Sequence, residues 1–341
     1  MRLGLLLLLT LAACGGGDGA PIVTSTRALG LHVGEAQDGD FDAAMDLAQG
    51  AGVSVAHLSF NWTDIETSPQ VYGNAFLGVA NVYYPARGVR LHLTLRPINT
   101  VRAEVPTDLA GLAWDDPQMI LRFNQLLDFV FAQIPAVDLG VLAIGNEVDG
   151  VLLNASDYAA YNTFFQATRT HARSLRPGLR VGVTAMFDGL TGAPRDLLVD
   201  LNAAADFVSV TYYPMAAGLV RAPTVVDGDF AALVALYPGK PIVVQECGYP
   251  SSPDSGSSEQ MQRDFVLEAF RAWDAHAGIE HLSFFKQTDW SDADVDGFLV
   301  YYGLATPEFR GFLASLGMRH YDGTAKPAWN AFVAEAAARG Y

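Results

Sequence analysis

From about Arg27 onward, short runs rich in Val, Ile, Leu and Phe alternate with longer amphipathic segments. Eight of the short runs read as strands: ALGLHVG from Ala28, VSVAHLSF from Val53, VRLHLTLR from Val89, LGVLAIGN from Leu139, LRVGVTAM from Leu179, DFVSVTYY from Asp206, PIVVQE from Pro241 and HLSFFK from His281. Helical patterns fall between most of them. DPQMILRFNQLLDFVFAQI places Ile120, Phe123, Leu127 and Val130 on one face, and SDYAAYNTFFQATRTHARSL opens on Ser156, the expected N-cap. SEQMQRDFVLEAFRAWDA reads the same way, as does KPAWNAFVAEAAARG, which carries Pro327 in its first turn. Strand-helix alternation implies parallel strands with helices outside. Eight such units over roughly 300 residues predict an α/β fold, a (β/α)₈ TIM barrel in a single domain. A doubly wound open sheet is the alternative, but no Gly-rich phosphate loop follows the first strand, and no sequence repeat or second domain stands out.

The segment before the barrel follows a different pattern. MRLGLLLLLTLAAC has one positive residue, Arg2, and then an apolar run to Ala13, too short for a membrane-spanning helix and suited to a signal peptide. LAAC, ending on Cys14, resembles the lipobox of bacterial lipoproteins, in which the chain is cut before the Cys and the Cys is acylated. GGGDG then supplies a flexible tether. The expected organisation is a lipoprotein signal peptide over 1–13, a tether over 14–26 and the barrel over 27–341. A lipid anchor at Cys14 would place the protein on the bacterial cell envelope; a plain secretory signal with an incidental Cys is the other reading. The second Cys is Cys247, so lipidation of Cys14 leaves no intrachain disulfide and the fold must rest on its core.

Composition narrows the partners. Half of the 341 residues are hydrophobic, 17% are charged, and the formal net charge is −16. Nucleic acid and anionic membrane surfaces require a basic face, so neither fits, and a neutral or weakly charged ligand does. A monomer is expected.

Candidate chemistry gathers at strand ends. In such barrels the site lies at the C-terminal ends of the strands. VLAIGNEVDG puts Asn146 and Glu147 just past the fourth strand, and PIVVQECGYPSS puts Glu246 at the end of the seventh. The two acids stand about three βα units apart and fall at the same level of the barrel. Two carboxylates facing across a pocket are what glycosidic cleavage needs: one protonates the leaving oxygen, and the other attacks the anomeric carbon or activates water. Their environments and mutual repulsion push the pKa values apart and assign the roles.

These motifs resemble a clan A glycoside hydrolase, a superfamily that retains anomeric configuration. IGNEV resembles its Asn-Glu signature and VVQECGYPSS its nucleophile strand. SFNWTDIETSPQVY, from Ser59 to Tyr72, resembles its second-strand segment, and LGMRHYDGTAKPAW, from Leu316 to Trp329, its tail into the last helix. The likeness spans nearly the whole mature chain. It implies Glu147 as acid/base, Glu246 as nucleophile, Asn146 bound to the sugar 2-hydroxyl, and Tyr213 beside the nucleophile. The clan often carries an Arg at the end of strand two; here FNW stands there and the nearest candidate is Arg96. Within the clan the motifs resemble both the family 53 galactanases and the family 17 β-1,3-glucanases, so a β-linked galactan- or glucan-like carbohydrate is the expected substrate. A transglycosylase using the same acids, and a glycan-binding surface lipoprotein that does not cut, remain the alternatives.

Flat aromatic rings suit the C–H faces of sugars. Trp62, Trp114, Phe187, Tyr249 and Trp290 stand at loop positions, with Trp290 after strand eight where the clan commonly places a stacking Trp. DADVDG carries Asp292, Asp294 and Asp296 at the alternate spacing of a calcium loop, although Gly303 occupies the position of the closing acid. A structural calcium or a solvated acidic loop both fit, and no cofactor is required. His32, His57 and His92 lie in or near the first three strands without metal-ligand spacing. Cys247 as a thiol catalyst lacks a His-Asn partner set.

Overall fold

The computed structural model describes residues 27–341. The signal segment, Cys14 and the tether lie outside the described residues. Eight strands form the barrel: β1 (Ala28–Leu31), β2 (Val55–Asn61), β3 (Arg90–Asn99), β4 (Leu139–Asn146), β5 (Arg180–Met186), β6 (Val208–Tyr212), β7 (Ile242–Cys247) and β8 (Ile279–Phe284). Each pairs in parallel with the next, and β1 pairs with β8 through Ala28↔His281 to Leu31↔Phe284, which closes the sheet. The open sheet is thereby excluded.

The helices of eight or more residues are α1 (Phe41–Gly50), α2 (Ala75–Ala86), α3 (Pro117–Gln133), α4 (Ala155–Leu175), α5 (Arg195–Ala203), α6 (Val226–Leu236), α7 (Glu259–Ala275), α8 (Asp292–Tyr302), α9 (Pro307–Ala314) and α10 (Pro327–Ala338). The amphipathic pattern of α3 holds: Phe123, Leu126, Leu127 and Val130 are buried, while Ile120 sits at the margin. α4 is capped two residues earlier than expected. Asn154 is its N-cap, with its side chain accepting from the backbone N–H groups of Ser156 and Asp157, so Ser156 lies inside the first turn. Asn fills this position as well as Ser because either oxygen reaches the free N–H groups. Pro327 opens α10 as expected.

The barrel interior is polar at its centre. The Gln245 side-chain oxygen Oε1 accepts from the Thr94 and Thr184 hydroxyls at 3.0 Å each, and His57 pairs with Thr94 at 2.8 Å. His32 and His57 pack with ring centroids 4.4 Å apart, and His92 and His281 with theirs 4.3 Å apart. Burial lowers the pKa of all four and keeps the rings neutral. No cluster of three or more metal-ligating side chains occurs among the described residues. No helix among them is long and apolar enough to cross a membrane.

Candidate active site

The GNE stretch at the end of β4 is locally unusual. Gly145 has φ of 91°, and a Cβ there would meet the Tyr161 hydroxyl at 2.4 Å and Val148 Cγ1 at 2.5 Å. Glu147 itself adopts a left-handed conformation, φ 49° and ψ 50°. For a non-glycine residue this costs on the order of 1–3 kcal/mol and persists where the surroundings over-determine it, commonly at functional sites. The turn aims Glu147 into the barrel mouth. There Oε2 accepts from the Thr100 hydroxyl at 2.5 Å and Oε1 from the Thr211 hydroxyl at 2.6 Å.

Glu246 reaches the same mouth through a bulge. Against β6, Val244 pairs with Val210 and Glu246 with Thr211, so Gln245 is the extra residue. In a regular strand successive side chains point to opposite faces. A bulge re-aims one of them, and here both Gln245 and Glu246 face inward. The Gln245 amide nitrogen donates to Asn146 Oδ1 at 3.1 Å and orients that amide, whose nitrogen lies 3.4 Å from Asn99 Oδ1. The Tyr213 hydroxyl donates to Glu246 Oε2 at 2.6 Å.

Glu147, Glu246, Asn146, Tyr213, Arg96 and Trp290 all line one cavity of about 920 Å³. Burial raises the pKa of Glu147, against the two threonine hydroxyls that favour its charged form. Burial also raises that of Glu246, and the charge of Glu147 raises it further; the Tyr213 hydroxyl and the Arg96 guanidinium oppose this. Charge on Glu147 disfavours charge on Glu246, so the two carboxyls resist ionising together. The Arg96 guanidinium favours the charged form of Glu246, and the Thr100 and Thr211 hydroxyls favour that of Glu147. Arg96 therefore serves Glu246 electrostatically although FNW occupies the end of β2. It stands on β3 opposite Asn61, the last residue of β2.

Two expected sugar contacts are core residues instead. Trp62 is 0% exposed; its indole N–H donates to Glu66 at 2.7 Å and its ring packs edge-on against Phe123. Glu66 in turn pairs with the buried Arg122. Tyr249 is 1% exposed, lies over Phe265 and donates its hydroxyl to the Arg221 carbonyl at 2.7 Å. Loop position alone did not reveal that both rings point under the barrel rim. Trp114 packs against Tyr161 and Phe164, and Phe187 against Tyr212. Cys247 is buried and unpaired, and burial pushes its thiol pKa up, which disfavours the nucleophilic thiolate.

DADVDG forms no loop. It runs through the first turns of α8, where Ser291 and Asp294 make a reciprocal capping box. Asp296 pairs with Arg310 at 2.5 Å, and Asp292 lies 3.7 Å from the same guanidinium. The three carboxylates are thus spread around a helix and engaged with the helix end and with Arg310, where a calcium loop would converge them on one point.

Several lining residues carried no signal in the sequence. Thr100 and Thr211 lie 111 positions apart and meet only at Glu147. Phe285, directly after β8, lines the cavity between His32 and Tyr213, with centroids 4.7 and 6.0 Å away. The Trp290 ring carries the Lys286 ammonium 3.9 Å from its centroid and packs on Phe298.

No protein-family model matches the chain, and no curated protein sequence matches it. Solved structures do. The chain superposes on GH5_18 from Streptomyces cattleya, solved in complex with GlcNAc, with a TM-score of 0.73 at 15% identity over 92% of this chain and 80% of that one. It superposes on the exo-β-1,4-mannosidase from Opitutaceae bacterium strain TAV5 with a TM-score of 0.69 at 17% identity, covering 92% of this chain and 59% of the mannosidase. A family 39 glycoside hydrolase from Bacteroides cellulosilyticus WH2 gives 0.66 at 15% identity, covering 93% and 65%. At these identities the likeness establishes the shared barrel. The three named neighbours are glycoside hydrolases, and none carries the family 53 or family 17 name that the motifs resemble.

Proposed function

We propose that this chain is a retaining glycosidase acting on β-linked hexosides, with Glu147 as acid/base and Glu246 as nucleophile. One observation carries the reading: two buried carboxylates share a single cavity at the mouth of a closed barrel, each held by hydroxyl donors, with the cation on the side of Glu246. In the first step Glu246 attacks the anomeric carbon while Glu147 gives its proton to the departing glycosidic oxygen, leaving a glycosyl ester on Glu246. In the second step Glu147 takes a proton from water as that oxygen attacks the same carbon, and Glu246 departs as the carboxylate. Asn146, oriented by Gln245, would donate to the sugar 2-hydroxyl. A lipid on Cys14 would hold the enzyme at the cell envelope.

The test uses p-nitrophenyl β-glycosides of galactose, glucose and mannose. Glu246→Ala should abolish turnover, and added azide should restore it with an inverted glycosyl azide. Glu147→Ala should keep activity on the activated aryl glycoside, lose it on poor leaving groups, and give a glycosyl azide of retained configuration. Azide products of the same configuration from both variants would sink the assignment. Binding without turnover would favour a glycan-binding protein, and disaccharide products formed in the presence of acceptor sugar would favour a transglycosylase.

A further inference from the structure

The excursion after β8 decides how much of a glycan the cavity admits. Ala293, Gly297 and Tyr301, with Asp294, Phe298 and Tyr302, all line it. These positions recur at i, i+1, i+4 and i+5, so they form one whole face of α8 along its length. The helix starts beside β8 and ends at β3. There the Tyr301 hydroxyl lies 3.1 Å from the Asn99 carbonyl oxygen and 2.9 Å from the Glu104 carboxylate. Arg102 donates to the Tyr301 carbonyl at 2.5 Å and sits over its ring, 4.3 Å from the centroid. α8 therefore spans the rim above β1 and β2 and is tied down at its far end. α9 continues the wall past β7 to β6, where Phe312 packs on Tyr213 at 5.3 Å, and Phe309 packs on Tyr302 at 5.3 Å. No residue between Glu147 and Tyr213 in the sequence lines the cavity, so its lining is one-sided, weighted toward α8 and α9.

The wall of α8 and α9 lies on the side of the cavity away from the β4–β5 loops. Glu147 protonates the leaving oxygen, so the departing part of the glycan lies on the β4 side. The sugar that becomes bonded to Glu246 lies toward α8 and α9. A chain extending further in that direction would run into the helix face. From this geometry, and resting on the glycosidase reading above, we propose that the protein acts on chain ends and removes the single non-reducing terminal sugar of a β-linked glycan. The volume of about 920 Å³ falls within the roughly 300–1,000 Å³ of a small-ligand cleft or cavity.

The experiment compares β-1,4-linked hexasaccharides of mannose, glucose and galactose, each labelled at the reducing end, with the same chains capped at the non-reducing end by a 4,6-O-benzylidene group. Early products from the uncapped chain should be labelled pentasaccharide and free monosaccharide, and the capped chain should react at least 100-fold more slowly. Arg102→Ala together with Tyr301→Ala, which unties the helix, should raise the share of shorter labelled products. Binding to Glu246→Gln is measured in parallel by calorimetry, and the cap should weaken it at least 50-fold. Labelled di-, tri- and tetrasaccharides appearing first from the intact enzyme, or equal binding of capped and uncapped chains, would overturn the proposal while leaving the glycosidase intact. Selective binding of uncapped chains without hydrolysis of any substrate would overturn the glycosidase and keep the closed pocket. Failure of every chain to bind would overturn both.

Discussion

At Glu246 burial and the neighbouring Glu147 charge work against ionisation, whereas Tyr213 and Arg96 work for it. The proposed mechanism requires one proton on the pair. Because both pKa values are raised, both limbs of the kcat/KM profile should lie above the usual carboxylate range, with the acidic limb above about pH 4.5. Tyr213→Phe removes a donor to the charged form of Glu246. It should move the acidic limb up by about one pH unit, the size expected for a hydrogen bond to a charged group, and lower kcat/KM about tenfold. A profile that drops without shifting would mean that Tyr213 only fills space. The same burial has a stability consequence. The native state binds the Glu246 proton more tightly than the unfolded chain does, so stability declines as pH rises above the ordinary carboxyl value. Glu246→Gln should therefore raise Tm at pH 8 by a few degrees, about what 1 kcal/mol gives in a domain of this size, and have little effect at pH 4.

Among the elements, α8 shows how one stretch supports two readings. Alternating Asp residues before Gly suggest a calcium loop, yet the same stretch satisfies a helix start, with Ser291 at the cap and Asp294 three residues on. The helix prevails because Phe298, Tyr301 and Tyr302 then meet the cavity on one face, and Arg310 pairs with Asp292 and Asp296 on another. Asp294→Ala should lower stability by about 1 kcal/mol through the lost cap, by the same amount with and without chelator in thermal melts. A chelator-dependent loss would restore the calcium reading. The bulge in β7 is the other decisive element. Its extra residue, Gln245, holds Asn146 while Glu246 still reaches the mouth, a result that strand periodicity by itself would forbid.

The whole barrel carries four neutral imidazoles in its interior. Their folded pKa values lie below the unfolded value near 6.5, so protonation favours unfolding. The stability they permit is complete above that value and is lost as pH falls below it. In a Glu246→Gln chain, where that carboxyl no longer offsets the trend, Tm should begin to fall below about pH 6.5. A flat Tm between pH 7 and pH 5 would contradict neutral buried imidazoles. At the other end of the chain, a lipid on Cys14 predicts that Cys14→Ser moves the protein from the membrane fraction to the soluble fraction at unchanged specific activity, because Cys14 precedes the barrel in the sequence. Continued sedimentation with membranes would exclude a lipid on Cys14.

What the sequence determined by itself was whatever depends on near neighbours. Hydrophobic runs and amphipathic spacing placed all eight strands and the ring they close, since burial of one face per element is a local pattern. Strand ends then located Asn146, Glu147 and Glu246, because a barrel presents its C-terminal ends at one mouth. Tertiary structure decided the rest. Trp62 and Tyr249 have the same local setting as a cleft aromatic, and only the packing under the rim turned them into core. Thr100 and Thr211 acquire a role solely by meeting at Glu147 across the barrel. The wall of α8 and α9 depends on a contact between Tyr301 and the end of β3, some two hundred residues away in the chain. Contacts at that separation leave no periodic trace, because each residue's own neighbours in sequence are indifferent to them.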